Sequence, residues 1–187
     1  IFSQQPRFKD ENGKDFPEWE MKRLGDITMN FDNERRPVSS ENRKYGDYPY
    51  YGANGIVDHV DRYIFDGNFI LVAEDGVVDT SKYPVHWVTG KFWANNHAHV
   101  LQGSGIENKF LYFALKNTAF SRYITGSAQT KLNGKVLGKI MIPIPVTGEQ
   151  VKIADFLTAV DDKIELERKK LEQVKLFKKS LLQQMFV

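Results

Sequence analysis

The chain has 187 residues with 41% hydrophobic and 13% aromatic content, enough to bury a real core and to form one globular domain with an appendage. It contains no cysteine, which excludes a disulfide framework, a thiolate metal site and a thiol nucleophile, and makes the cytoplasm its natural compartment. Net charge is only +2, no apolar run approaches the roughly 20 residues that span a bilayer, and Ile1-Phe2-Ser3-Gln4-Gln5-Pro6-Arg7 is not a signal peptide.

In chain order, a polar piece from Phe8 to Glu18 leads through Trp19 and Leu24 to a loop, Asn30 to Tyr48, rich in Arg, Ser and Asn. Short strand-like runs follow at Gly55-Ile56-Val57, Phe69 to Ala73, Val85 to Val88 and Ala98 to Leu101, punctuated by Gly, Asp and Asn. A helix is predicted from Ser104, where Ser104-Gly105-Ile106-Glu107 has capping-box spacing and Phe110, Leu111, Phe113, Ala114 and Leu115 supply an apolar side. Then comes a small, polar segment, Thr125 to Lys135, and a strand from Lys139 to Ile144 ended by Pro143 and Pro145. The pattern predicts a mixed α/β (α+β) domain over residues 1–146.

A different element occupies 147–187. Thr147 and Gln150 have the spacing of a second capping box. Beyond them Ile153, Leu157, Val160, Ile164, Leu171, Val174, Leu181 and Met185 follow a four-and-three spacing, with Glu167 and Lys178 as polar exceptions. That is the seam of a coiled-coil-type helix. No Gly or Pro interrupts it from Gln150 onward, so at 1.5 Å per residue it runs for roughly 55 Å. Phe156, Phe177 and Leu182 broaden the stripe, and a stripe of this size calls for a partner helix beyond its first two turns.

Charge is unevenly distributed. From Asn108 to Gly148 there is no acidic residue among Lys109, Lys116, Arg122, Lys131, Lys135 and Lys139, whereas Asp58 to Asp79 is strongly acidic. A face attractive to a polyanion is expected. Enzymatic signals are weak. Each Gly-Lys pair lacks the Ser or Thr of a phosphate-binding loop, and no Gly-rich cofactor turn is present. Asp66, Glu74, Asp75 and Asp79 could ligate Mg²⁺, and Asp161-Asp162-Lys163 is an acid-x-Lys element, but acidic turns and helix-surface charges account for both. His59, His86, His97 and His99 lack an evident third ligand, so structural roles are expected and no metal is assigned.

Residues 142–187, "IPIPVTGEQVKIADFLTAVDDKIELERKKLEQVKLFKKSLLQQMFV", resemble the conserved helical region of the specificity subunit of type I restriction-modification systems. So do "RFKDENGKDFPEWEMKRLGDI" from Arg7, "YYGANGIVDHVDRYIFDGNFILVAEDG" from Tyr50, "FWANNHAHVL" from Phe92 and "GSAQTKLN" from Gly126, and the resemblance covers nearly the whole chain. Family members carry two recognition domains and two such helices in tandem; this chain has one of each. Pro145-Val146-Thr147-Gly148 also replaces the usual Pro-Pro-Leu. Ile1-Phe2-Ser3 resembles the tail of a preceding helix, so the chain reads as the C-terminal half of such a subunit or as a half-subunit that dimerises.

The resemblance implies a non-enzymatic reader of one half of a bipartite double-stranded DNA target. Its helix would act as spacer and docking surface for modification subunits, pairing with a second copy or with the other half of the same subunit. S-adenosylmethionine would belong to the modification subunits, and ATP and Mg²⁺ to partners that include a restriction subunit. Two segments have DNA-binding chemistry of their own. Arg35, Arg36, Arg43 and Lys44 suit guanine or phosphate, with Ser39, Ser40 and Asn42 beside them; Gln129 and Asn133 suit adenine, with Ser127, Thr130, Lys131 and Lys135 for phosphates. A protein-interaction scaffold that uses the helix and reads no DNA is the alternative of a different class.

Overall fold

Side-chain alternation on the longest strands decides the layering of this molecule. In the computed structural model, which describes residues 1–5, 7–124 and 131–185, the elements are β1 (Glu20–Arg23), β2 (Thr28–Asn30), β3 (Tyr48–Gly52), β4 (Gly55–Val60), β5 (Phe65–Ala73), β6 (Val85–Ala94), β7 (Ala98–Gly103), α1 (Asn108–Lys116), α2 (Gly134–Leu137), β8 (Met141–Ile144) and α3 (Thr147–Met185). Six strands form one sheet in the order β2-β7-β5-β6-β3-β4, antiparallel except where β3 runs parallel to β6. β1 and β8 form a separate antiparallel pair.

β5 lies inside the larger sheet, and successive side chains go to opposite faces. Ile70 and Val72 join Leu101, Phe110, Leu111 and Leu115 beneath α1, while Phe69 and Leu71 join Phe65, Phe92 and Val100 on the other face. Both faces are therefore covered, which explains why residues 69–73 read as a continuous apolar run rather than as an alternation. The strand-like runs near Gly55, Phe69, Val85 and Ala98 all fall in strands. β1 carries no apolar alternation and all four of its residues are exposed, so it was not legible as a strand; it pairs with β8 instead.

Both helix starts differ from their expected caps. α1 begins at Asn108, not Ser104: Gly105 has φ +68°, a left-handed conformation that interrupts a helix, and the Ser104 amide is taken by the Ile27 carbonyl. Glu107 becomes the cap, its carboxylate accepting from the Phe110 amide. At α3 the first amides of Glu149 and Gln150 are satisfied by the Val146 carbonyl, and the Gln150 side chain reaches outward. Its amide donates to the Pro145 carbonyl at 2.8 Å and its oxygen accepts from the Glu107 backbone at 2.9 Å. Gln150 thus joins α3 to the start of α1 instead of closing a local box.

The first turns of α3 belong to the domain. Ile153 and Ala154 are buried in the main cluster with Leu157 packed against it. Every residue from Ala159 to Met185 is exposed. With 39 residues the helix is about 58 Å long, so most of it stands clear of the domain.

Candidate nucleic-acid interface

The loop after β2 and the segment before α2 meet at a charged hub. Asp32 follows β2, Glu74 follows β5, His99 lies in β7, and Lys131 and Leu132 precede α2. The His99 ring, 1% exposed, sits between the Asp32 carboxylate at 2.6 Å from Nδ1 and the Leu132 carbonyl at 2.8 Å from Nε2. Both neighbours are acceptors, so the ring satisfies both when each nitrogen carries a proton. Glu74 accepts from Arg35 at 2.9 Å and pairs with Lys131 at 3.3 Å, and its carbonyl accepts from the Leu132 amide.

Burial pushes the carboxyl groups of Asp32 and Glu74 up, but their partners prevail. Asp32 lies below the usual carboxylate range through His99, the Val100 amide and Asn30; Glu74 does so through Arg35, His99 and Lys131. Asp32, Glu74 and His99 bring their ligand atoms within 4.8 Å of one another, the spacing of a metal site. Arg35 and Lys131 already hold Glu74, and His99 directs its nitrogens at protein acceptors. The arrangement is that of a compensated ion-pair network, which a cation would have to break. His97 takes a separate partner, Asp75, at 2.8 Å.

This hub changes the reading of Arg35. Its guanidinium donates to the carbonyls of Asp32, Asn96 and Ala98 as well as to Glu74, and only 12% of the side chain is exposed. It is a bracket for the loop rather than a free cation for DNA. Arg43 is similarly engaged, donating to the Val38 carbonyl and Asp58 and lying 4.4 Å above the Tyr50 ring. Sequence alone could not tell these arginines from their exposed neighbours, because their partners lie far along the chain.

Arg36, Ser39, Ser40, Asn42 and Lys44 are exposed. Asn42, Arg43, Lys44, Arg62 and Trp93 help line a shallow cavity of about 200 Å³, beside Tyr45, which is 87% exposed. In the second segment Lys131 and Lys135 are exposed, and the Asn133 side chain accepts from the Lys135 amide, capping α2. Ser127, Gln129 and Thr130 lie outside the described residues. The hub members Asp32, Glu74 and His99 were missed as a group, since no sequence spacing links positions in three separate elements.

On α3, Val160, Ile164, Leu171, Val174, Leu181 and Met185 are all exposed, from 37% to 73%. Ile153 and Leu157 differ from the expected interface, because they are engaged with their own domain. The free seam therefore begins at Val160.

The family model described as "Type I restriction modification DNA specificity domain" matches residues 17–176. The chain belongs to that family. A Haemophilus influenzae protein named for a type I restriction enzyme specificity subunit, S.HindORF215P, is 45% identical over 147 residues, 76% of this chain and 38% of the relative. The Escherichia coli EcoDI specificity subunit is 26% identical over 161 residues, 84% of this chain and 34% of its own length. This member of the specificity family thus spans well under half the length of these curated relatives. A crystal structure of the type I restriction-modification S subunit from M. genitalium superposes with a TM-score of 0.71 at 20% identity, covering 86% of this chain and 42% of that one. That likeness bears on the fold: a sheet-rich recognition domain carrying a long C-terminal helix.

Proposed function

We propose that this chain reads one half of a bipartite double-stranded DNA target and directs partner subunits to it, with residues 1–146 as the reader and 147–187 as spacer and docking helix. The observation that carries the reading is the family match across both parts, joined to a helix that projects from the domain with its apolar seam uncovered. The seam from Val160 to Met185 pairs with an equivalent helix, from a second copy or from the other half of a longer subunit. Because helix rise is fixed, the pair sets the distance between two readers.

Base contacts come from Gln129 and Asn133, and phosphate contacts from Arg36, Lys44, Lys131 and Lys135, while Arg35 and Arg43 hold the loop that carries Arg36 and Lys44. The chain performs no chemistry itself. Modification subunits supply S-adenosylmethionine, and a restriction subunit with ATP and Mg²⁺ performs cleavage, in the cytoplasm.

The test is co-purification with the cognate modification subunit, then methylation of a randomised DNA library and sequencing of the modified sites. A bipartite motif supports the reading, and a palindromic one identifies pairing of two copies. Absence of both complex and methylation overturns it in favour of a scaffold that reads no DNA. Gln129→Ala is expected to weaken one sequence selectively, and Lys131→Ala to weaken all of them; equal losses on all DNA from both would remove Gln129 from base reading.

A further inference from the structure

The junction between the domain and α3 is built as a clasp, where a single strand-to-helix connection would otherwise be a hinge. Glu149, in the first turn of α3, is 0% exposed. Its carboxylate accepts from Arg7 Nε at 3.2 Å, Arg7 Nη2 at 2.8 Å and Trp19 Nε1 at 3.0 Å. Arg7 is itself oriented by donating to the carbonyls of Phe16 and Pro17. The next residue, Gln150, ties α3 to the start of α1. Within the next two turns, Lys152 donates to the Lys9 carbonyl and Phe8 packs edge-on against Phe156 with ring centroids 5.6 Å apart.

The helix base is therefore gripped from two sides, by the N-terminal arm and by α1. A bidentate guanidinium–carboxylate pair is directional, and a buried carboxylate cannot exchange its donors for water. We propose that the Arg7–Trp19–Glu149 clasp fixes the angle at which α3 leaves the domain and thereby sets how strictly the spacing between half-sites is read; the spacing clause rests on the function proposed above.

Lever-arm geometry makes this a demanding task. Met185 stands about 54 Å along the helix from Glu149. A tilt of about 10° at the base displaces the far end by about 9 Å, close to three steps of 3.4 Å along a DNA strand. Selecting one spacing over its neighbour thus requires angular play of only a few degrees. The free seam from Val160 onward cannot supply this, because it lies wholly on the exposed side of the junction. Arg7 and Glu149 are positioning residues that touch no DNA.

The test uses the full chain. With no native cysteine, Thr89→Cys and Gln173→Cys, both at exposed positions, give a spin-label pair that reports the domain-to-helix distance once diluted with unlabelled chain. A single narrow distance distribution is expected. Glu149→Gln and Arg7→Gln should broaden it at least about twofold without loss of helical circular dichroism, and Arg7→Lys, which keeps the charge but not the fork, should fall between. If Glu149→Gln fails to fold, the two Arg7 variants decide. An unchanged width in both overturns the clasp.

Alongside the cognate modification subunit, Arg7→Gln should also methylate sites whose half-site sequences match those of the parent but whose spacing differs by a base pair or two. A strict spacing retained by a variant with a broadened distance would overturn the link to specificity. A parent chain that supports no methylation would instead count against the proposed function and leave the distance measurement to judge the clasp.

Discussion

Replacing His99 with leucine removes the imidazole at the centre of the hub while keeping a similar apolar volume. Two acceptors lose their donor: the Asp32 carboxylate at 2.6 Å and the Leu132 carbonyl at 2.8 Å. A buried carbonyl left without a partner costs about 1–3 kcal/mol, and a hydrogen bond to a charged group contributes about 1.5–3 kcal/mol. Asp32 retains the Val100 amide and Asn30, and 17% of its side chain reaches solvent, so the lower part of the range applies. The expected loss is about 3 kcal/mol. For a domain of this size each kcal/mol shifts Tm by roughly 2–4 °C, giving a fall of about 6–12 °C by calorimetry or circular dichroism.

Asp32→Asn should cost about half as much. It keeps an oxygen for the Val100 amide and lets a neutral His99 ring still donate to Leu132. If His99→Leu melts within about 2 °C of the parent, water or rearrangement satisfies the hub and the physical account of it is wrong. If Asp32→Asn is the more damaging of the two, the countercharge to Arg35, rather than the hydrogen bonds of the ring, dominates.

Leu171→Asp together with Val174→Asp should give monomers in sedimentation or light scattering while leaving the domain's Tm within about 1 °C, since both side chains are more than half exposed; an unchanged assembly mass would remove this seam from the interface. Burial holds His86 below its ordinary pKa, and its Nε2 has no hydrogen-bond partner among the described residues. The unfolded chain binds this proton below about pH 6.5 whereas the folded chain resists it, so stability should fall as pH drops from about 6.5 toward the lowered folded value and be level above it, and His86→Leu should flatten that slope in Tm against pH. A further loss should set in below about pH 4.5, where the depressed carboxyl groups of Asp32 and Glu74 lose their contribution by protonation. Arg36→Ala and Lys44→Ala, both exposed, should each lower the salt slope of DNA binding by about one unit, whereas Arg43→Ala should lower Tm through the lost Asp58 and Tyr50 contacts. A slope unchanged in the first two would take the loop off the phosphate backbone.

What could be read along the chain was whatever depends on neighbours a few residues apart. The apolar run at Phe69 to Ala73 marked a strand, and the four-and-three spacing from Ile153 to Met185, free of Gly and Pro, marked one long helix with an apolar stripe. Helix and strand periodicities are local, so they survive without knowledge of the fold. The family resemblance was legible for a related reason, because its motifs are contiguous stretches.

Tertiary structure decided who partners whom. Arg35 and Arg36 are adjacent and chemically identical, yet one faces Glu74, 39 positions away, and the other faces solvent. Ser104 and Glu107 had capping spacing, but the Ile27 carbonyl captured the Ser104 amide and moved the helix start. Thr147 and Gln150 had it too, but Gln150 was drawn to α1. Polar side chains have several satisfactory partners of similar energy, and burial selects among them by making an unmet group costly. That selection depends on which elements pack together, so the hub at His99 and the clasp at Glu149 became visible only once the sheet and helices were in place.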